Sequence, residues 1–133
     1  MSFTSLFCCV LFFHWVADFI CQTRWMADNK SKCWSALCVH VMVYTAVLGF
    51  GLFGLSIVGD NFNLNVHLGE PAKIIWFLFL NMIFHWMTDG ITSKITSYFW
   101  SKQNVHAFFC TVGFDQMIHT ITLLYTSYWL FGG

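Results

Sequence analysis

A chain of 133 residues that is 58% hydrophobic and only 9% charged cannot clothe a water-soluble globule, since ordinary soluble domains are about a quarter charged. Six basic residues balance six acidic ones, with sixteen Phe and seven Trp beside them. This excludes a disordered chain and a nucleic-acid binder, and predicts one integral membrane domain over residues 1–133.

Four apolar stretches reach the roughly 17 to 25 residues that a membrane-crossing helix needs. In chain order they are expected at about 3–20, 33–58, 74–90 and 108–131, giving an all-α four-transmembrane-helix bundle. The first has no Lys or Arg ahead of its apolar run and no small-residue cleavage site, so it reads as a mature helix rather than a signal peptide. The first connection, Gln22 to Lys32, is polar. The second, from Gly59 to Lys73, carries the only Pro and three Asn and reads as a loop. Beyond Gly90 the third helix is expected to continue to Trp100. Ile91, Ile95, Tyr98 and Phe99 share one side there, against Thr92, Ser93, Thr96 and Ser97. Such a stretch either lies in the interface or is a solvated helix end.

Basic residues set the orientation. Arg24, Lys30, Lys32, Lys94 and Lys102 fall in or beside the first and third connections, and Lys73 alone in the second. The positive-inside rule then puts the first and third connections in the cytoplasm and both termini outside it. Trp25, Trp34 and Trp100 at one boundary, with Trp76 and Trp129 at the other, fit aromatic belts. The six Cys have no regular spacing and lie mostly in apolar runs, so free thiols are expected.

Half of the carboxylates lie inside the spans, each with a His four positions away: His14 with Asp18, His85 with Asp89, Asp115 with His119. Residues at that spacing share a helix face. Gln22 extends the first face, Asn81 the third, and His40 with Tyr44 forms a matching face on the second helix. In an up-down-up-down bundle these positions fall at one depth, toward the first and third connections. Phe13–Asp18 and Phe84–Asp89 match as F-H-W-x-x-D, consistent with a two-plus-two parallel pseudo-repeat.

Three unpaired charged Asp at helix centres would cost on the order of 8 to 10 kcal/mol. Bound zinc in small structural sites is worth roughly 10 to 16 kcal/mol. The expected metal ligands are therefore His14, Asp18, His40, His85, Asp89, Asp115 and His119. Imidazole and carboxylate together suit Zn, Mn or Fe, and the surplus of ligands suggests two ions or an outer layer of supporting groups. Gln22, Gln116, Asn81 and Tyr44 are candidates for that outer layer, and Lys30 and Arg24 for holding a lipid phosphate. An enzyme built this way would be a metal-dependent hydrolase acting on a lipid or lipid-linked phosphate. The alternatives are an ion or proton conductor, a membrane effector without catalysis, and a purely structural metal or polar network.

Other signals carry less. Gly49–Gly54 fits G-x-G-x-x-G, but inside an apolar helix it points to close helix packing rather than a nucleotide. His67 and His106 lie in connections and read as solvated. Membrane lipids are the expected partners, and further self-assembly is compatible with so small a unit.

His14-Trp-Val-Ala-Asp-Phe-Ile-Cys-Gln22, Met26-Ala-Asp-Asn-Lys30 and His40 carry a resemblance that covers nearly the whole chain. His85-Trp-Met-Thr-Asp89, Thr92–Ser97 and Gly113-Phe-Asp-Gln-Met-Ile-His119 extend it. Together they resemble an uncharacterised family of small phage and bacterial multi-pass membrane proteins. The resemblance implies a bacterial, or phage-infected host, inner membrane. It implies no activity.

Overall fold

A computed structural model describes residues 2–61, 68 and 70–132. Helix α1 (Phe3–Trp15) runs directly into a π-helical turn, Val16–Ile20. A short α2 (Arg24–Asn29) follows, then α3 (Trp34–Asn61), α4 (Pro71–Ser101) and α5 (Val105–Phe131). Four of these segments are long and apolar enough to cross a membrane: Phe3–Ile20, Trp34–Gly59, Pro71–Ser101 and Val105–Phe131. No strand occurs among the described residues. The protein is a multi-pass, all-helical membrane protein.

The long helices close into a ring, α1 against α3 and α5, and α4 against α3 and α5. The two helices that carry F-H-W-x-x-D, α1 and α4, are therefore diagonal, as a parallel repeat requires. Each helix turns one stripe inward. On α1 and its π turn it is Leu6, Val10, His14 and Asp18, all buried. On α4 it is Ile74, Phe77, Asn81, His85 and Asp89. Along both stripes the residues change from apolar to ionisable partway through the bundle. Leu6, Val10, Leu48, Leu52, Phe77 and Leu123 fill the apolar half, and the His and Asp residues fill the half near the α4–α5 connection.

Several boundaries differ from the sequence expectation. Pro71 starts α4 three residues early, because a proline in the first turn gives up only an N–H that has no helical partner anyway. Helix α3 runs to Asn61, past the Gly59 where a loop was expected. The rest of that connection, with His67, lies mostly outside the described residues. The first connection is not simply a loop, since α2 forms within it. Thr23 caps α2 by accepting the Met26 N–H at 3.3 Å, and Met26 is buried beneath it. His106 belongs to the first turn of α5 and is exposed.

Gly90 does not interrupt α4, which extends for 31 residues, about 46 Å. Its last turns are inside out relative to a solvated helix end. Thr92 and Ser93 are buried toward the bundle while Ile91, Ile95 and Tyr98 face outward. The glycines of α3 act through packing: a Cβ on Gly51 would run into the Phe13 ring, and one on Gly49 would press on Leu78 at 3.3 Å. Gly54 meets nothing within 4 Å.

Candidate metal centre

Four helices deliver ionisable groups to one level. The π turn bonds Cys21 N–H to the Val16 carbonyl at 2.8 Å and inserts an extra residue into α1 just where Asp18 sits. Such turns recur at functional sites because they re-aim a side chain without ending the helix. Asp18, His40, His85 and Asp89, all buried, come together so that one ligand atom from each lies within 4.8 Å of the others.

The distances within this group are specific. His40 Nε2 lies 3.0 Å from His85 Nε2, 3.2 Å from Asp18 Oδ1 and 3.1 Å from Asp89 Oδ2. His85 Nε2 lies 3.6 Å from Asp18 Oδ1 and 3.7 Å from Asp89 Oδ2. Ligands about 2.0–2.1 Å from a tetrahedral ion sit about 3.3 Å from one another. These five separations scatter around that edge length. The group can hold a metal ion.

A second group, Asp18, Asp115 and His119, shares Asp18 with the first. His119 Nε2 is 3.5 Å from Asp115 Oδ1 and 3.1 Å from Asp89 Oδ1. Asp89 thus turns one oxygen to each group. Thr92 donates its hydroxyl to Asp115 Oδ1. The Gln116 amide nitrogen donates to Asp18 Oδ2 at 2.7 Å and to Asp115 Oδ2 at 3.1 Å, tying the two carboxylates together.

Charge supports the same use. Lys30 reaches Asp89 Oδ2 at 2.7 Å and is the only Lys or Arg paired with the cluster among the described residues. Three carboxylates face one ammonium, which leaves two negative charges for the adjoining imidazoles to meet as imidazolium or for an ion held by those imidazoles to meet. A divalent cation would balance them, and a buried carboxylate without a counter-charge is costly. Asp18 Oδ1 is fully enclosed and accepts no well-directed hydrogen bond, its neighbours being the Nε2 atoms of His40 and His85. Nδ1 of His40 and of His85 also lacks a partner. Packing holds the His85 ring instead: Tyr44 stacks on it at 3.8 Å between centroids and His119 at 4.2 Å.

The remaining predicted residues occupy different places. His14 stands apart from both groups, with Nδ1 3.3 Å from the Tyr44 hydroxyl and Nε2 3.1 Å from Gln116 Oε1. The pseudo-repeat breaks here for a readable reason. Tyr44 lies four residues after His40, while Leu123 lies four after His119. Gln116 lies three before His119, while Leu37 lies three before His40. The polar partners that occupy His14 have apolar counterparts on the other side, and His85 is left to face the cluster.

Asn81 lies one turn deeper, donating to the Phe77 carbonyl at 2.8 Å and to Thr126 Oγ1 at 2.9 Å. Gln22 lines the cavity above the cluster, its Oε1 buried without a partner. Arg24 is turned away, its side chain 95% exposed and 3.5 Å from Asp28. Thr92 and Ser93 were not singled out as site residues. Continuing the Asn81–His85–Asp89 stripe one further turn reaches them both.

No curated protein and no solved structure matches this chain. A family model does, over residues 6–132, and its description is "Protein of unknown function". The resemblance read from the motifs thus holds at the level of the family, and the chain belongs to the family of proteins of unknown function DUF3307.

Proposed function

We propose that this protein is a metal-dependent membrane hydrolase whose centre is the intramembrane His/Asp cluster. Asp18, His40, His85 and Asp89 hold one divalent transition ion, Zn, Mn or Fe. Asp115 and His119, with Asp18, hold a second. The observation that carries this reading is the convergence of two Nε2 atoms and two carboxylate oxygens, with five separations of 3.0–3.7 Å among them. A divalent ion in such a site supplies Lewis acidity and lowers the pKa of water toward 7. The chain's own residues do the rest. Gln116 and Thr92 fix the carboxylates, Tyr44 fixes the His85 ring, and Lys30 holds Asp89.

The substrate class is a lipid or lipid-linked phosphate, reached from the cytoplasmic leaflet of a bacterial inner membrane, with both termini on the other side. The five basic residues at this end of the bundle support that orientation. A site served from one side fits better than a conduit. Past Tyr44 the bundle is packed with Leu48, Leu52, Phe77 and Leu123, all but fully buried, and the polar side chains buried among them, Asn81, Thr126 and Ser127, carry no ionisable group.

The test is elemental analysis of detergent-purified protein, with His85→Ala and Asp89→Ala alongside. Wild type is expected to hold one to two transition ions per chain and each variant markedly fewer. Chelator-sensitive release of phosphate from a lipid-phosphate panel is the matching activity readout. A metal-free wild-type protein would sink the proposal.

A further inference from the structure

Above the cluster, the ends of α4 and α5, the π turn and the α2–α3 turn enclose a cavity of about 840 Å³. Asp18, Asp115 and Gln116 form its floor, so it is the route from the membrane surface to the candidate metal centre. Its walls are of two kinds. Helix α4 lines one with hydroxyls, from Thr92, Ser93, Thr96 and Ser97, and Phe19, Phe108 and Phe109 line another. Phe19 and Phe109 are 48% and 64% exposed, so the aromatic wall continues onto the lipid-facing surface.

Three of the four hydroxyls are already engaged. Thr92 donates to Asp115, Thr96 to backbone carbonyls of its own helix, and Ser97 to Ser31 Oγ at 2.8 Å. Ser93 is not. It is only 6% exposed, lines the cavity, and its Oγ has no partner. Leaving a buried hydroxyl unbonded is costly, and a ligand acceptor at this place would recover that cost. Two ammonium groups also line the cavity. Lys30 is committed to Asp89, whereas Lys32 has no ion pair among the described residues.

A free ammonium and an unpartnered hydroxyl, set over a floor reserved for cations, match a phosphate monoester. The aromatic wall running out to lipid matches the chain such a headgroup would carry. From this we infer that the cavity is a binding site for a phosphate monoester headgroup, held by Lys32 and Ser93 with its tail along Phe19 and Phe109. The inference rests on the metal-centre reading in one respect: cations on the floor would offset the charge of Asp18 and Asp115 and strengthen binding, while Asp28 on the rim is paired with Arg24.

The experiment uses protein in nanodiscs of dioleoyl phosphatidylcholine, titrated with dioleoyl phosphatidic acid. Bound lipid is counted by native mass spectrometry, and metal is measured on the same samples. One phosphatidic acid per chain is expected, selected over phosphatidylcholine. Lys32→Gln and Ser93→Ala should each weaken it by about tenfold or more, with metal content unchanged.

Inorganic phosphate in a parallel titration separates the two sources of this chemistry. Competition by micromolar phosphate would uphold the phosphate site and assign it to the free ion, whereas competition only at far higher concentration assigns it to the lipid. Metal-replete protein that ignores phosphatidic acid, or binds it equally well in both variants, overturns the headgroup site and leaves the metal centre standing. Wild-type protein that binds the lipid through Lys32 and Ser93 while holding no metal upholds the headgroup site and removes the metal centre.

Discussion

Lys30 Nζ lies 2.7 Å from Asp89 Oδ2, the same carboxylate oxygen that faces His40 Nε2 at 3.1 Å. An ammonium from a surface turn thus already sits on an oxygen that a metal would use. Lys30→Met leaves Asp89, 1% exposed, without its ammonium partner. With chelator present, the variant should lose up to about 3–5 kcal/mol of stability, as when one partner of a buried ion pair is removed. Added Zn²⁺ should recover most of that loss, more than it adds to wild type. Thermal unfolding in detergent, with and without metal, checks both halves.

The Tyr44 ring and its hydroxyl do separable work. Stacking on His85 belongs to the ring, and contact with His14 Nδ1 belongs to the hydroxyl. Tyr44→Phe should keep metal affinity near wild type, because His14 belongs to neither ligand group. Tyr44→Leu should weaken it by about 10–100-fold, the usual effect of removing a group that orients a ligand. Competition against a fluorescent chelator measures both.

Close packing of α3 predicts a contrast between two glycines. Gly51→Ala drives a methyl into the Phe13 ring, an overpacking that costs about 1–3 kcal/mol. Gly54→Ala has open space and should be neutral or gain up to about 1 kcal/mol from helix propensity. Unfolding of the two variants side by side should rank Gly54→Ala above wild type or level with it, and Gly51→Ala below.

Cys33 stands at the entrance to α3, exposed, with Sγ 2.8 Å from Ser35 Oγ. That hydroxyl, together with the Ala36 N–H, holds its thiol below the usual thiol range. The sign follows directly: at neutral pH Cys33 carries more thiolate than an ordinary cysteine. A membrane-impermeant maleimide should label it readily, with a rate that rises with pH and levels off earlier than that of a model thiol. The label should need access to the cytoplasmic face, so reaction in intact cells without permeabilisation would reverse the proposed orientation.

Much of this was legible in the sequence because membrane helices obey few rules. Length and hydropathy marked the four spans, and four-residue spacing marked the faces of His85/Asp89 and Asp115/His119. The same rule put His14 and Asp18 on one inward face, where both are buried, but it does not say what their side chains meet. Which of two inward histidines reaches the cluster depends on partners from other helices, Tyr44 and Gln116, and spacing within α1 says nothing of them. A lysine in a turn ordinarily faces water, so the sequence alone offers Lys30 to a phosphate. Its reach to Asp89 depends on how the short α2 folds the chain back, with Met26 buried beneath it. The π turn has no marker in Val16–Ile20 that composition could reveal.

The outer face of α4 is lined by apolar side chains. Its outward row, Ile75, Phe79, Ile83, Met87, Ile91 and Ile95, continues to Tyr98 and Trp100. From Ile75 to Trp100 that is roughly 38 Å of helix, against a hydrocarbon core of about 30 Å. The helix must therefore tilt or draw the bilayer around it, and the hydroxyl-lined end stays shielded by lipid-facing side chains on its outer side. A visitor entering past Phe19 and Phe109 arrives sideways, from within the leaflet. Its effective abundance is then set by mole fraction among neighbouring lipids, and saturation should follow membrane composition rather than concentration in the surrounding water.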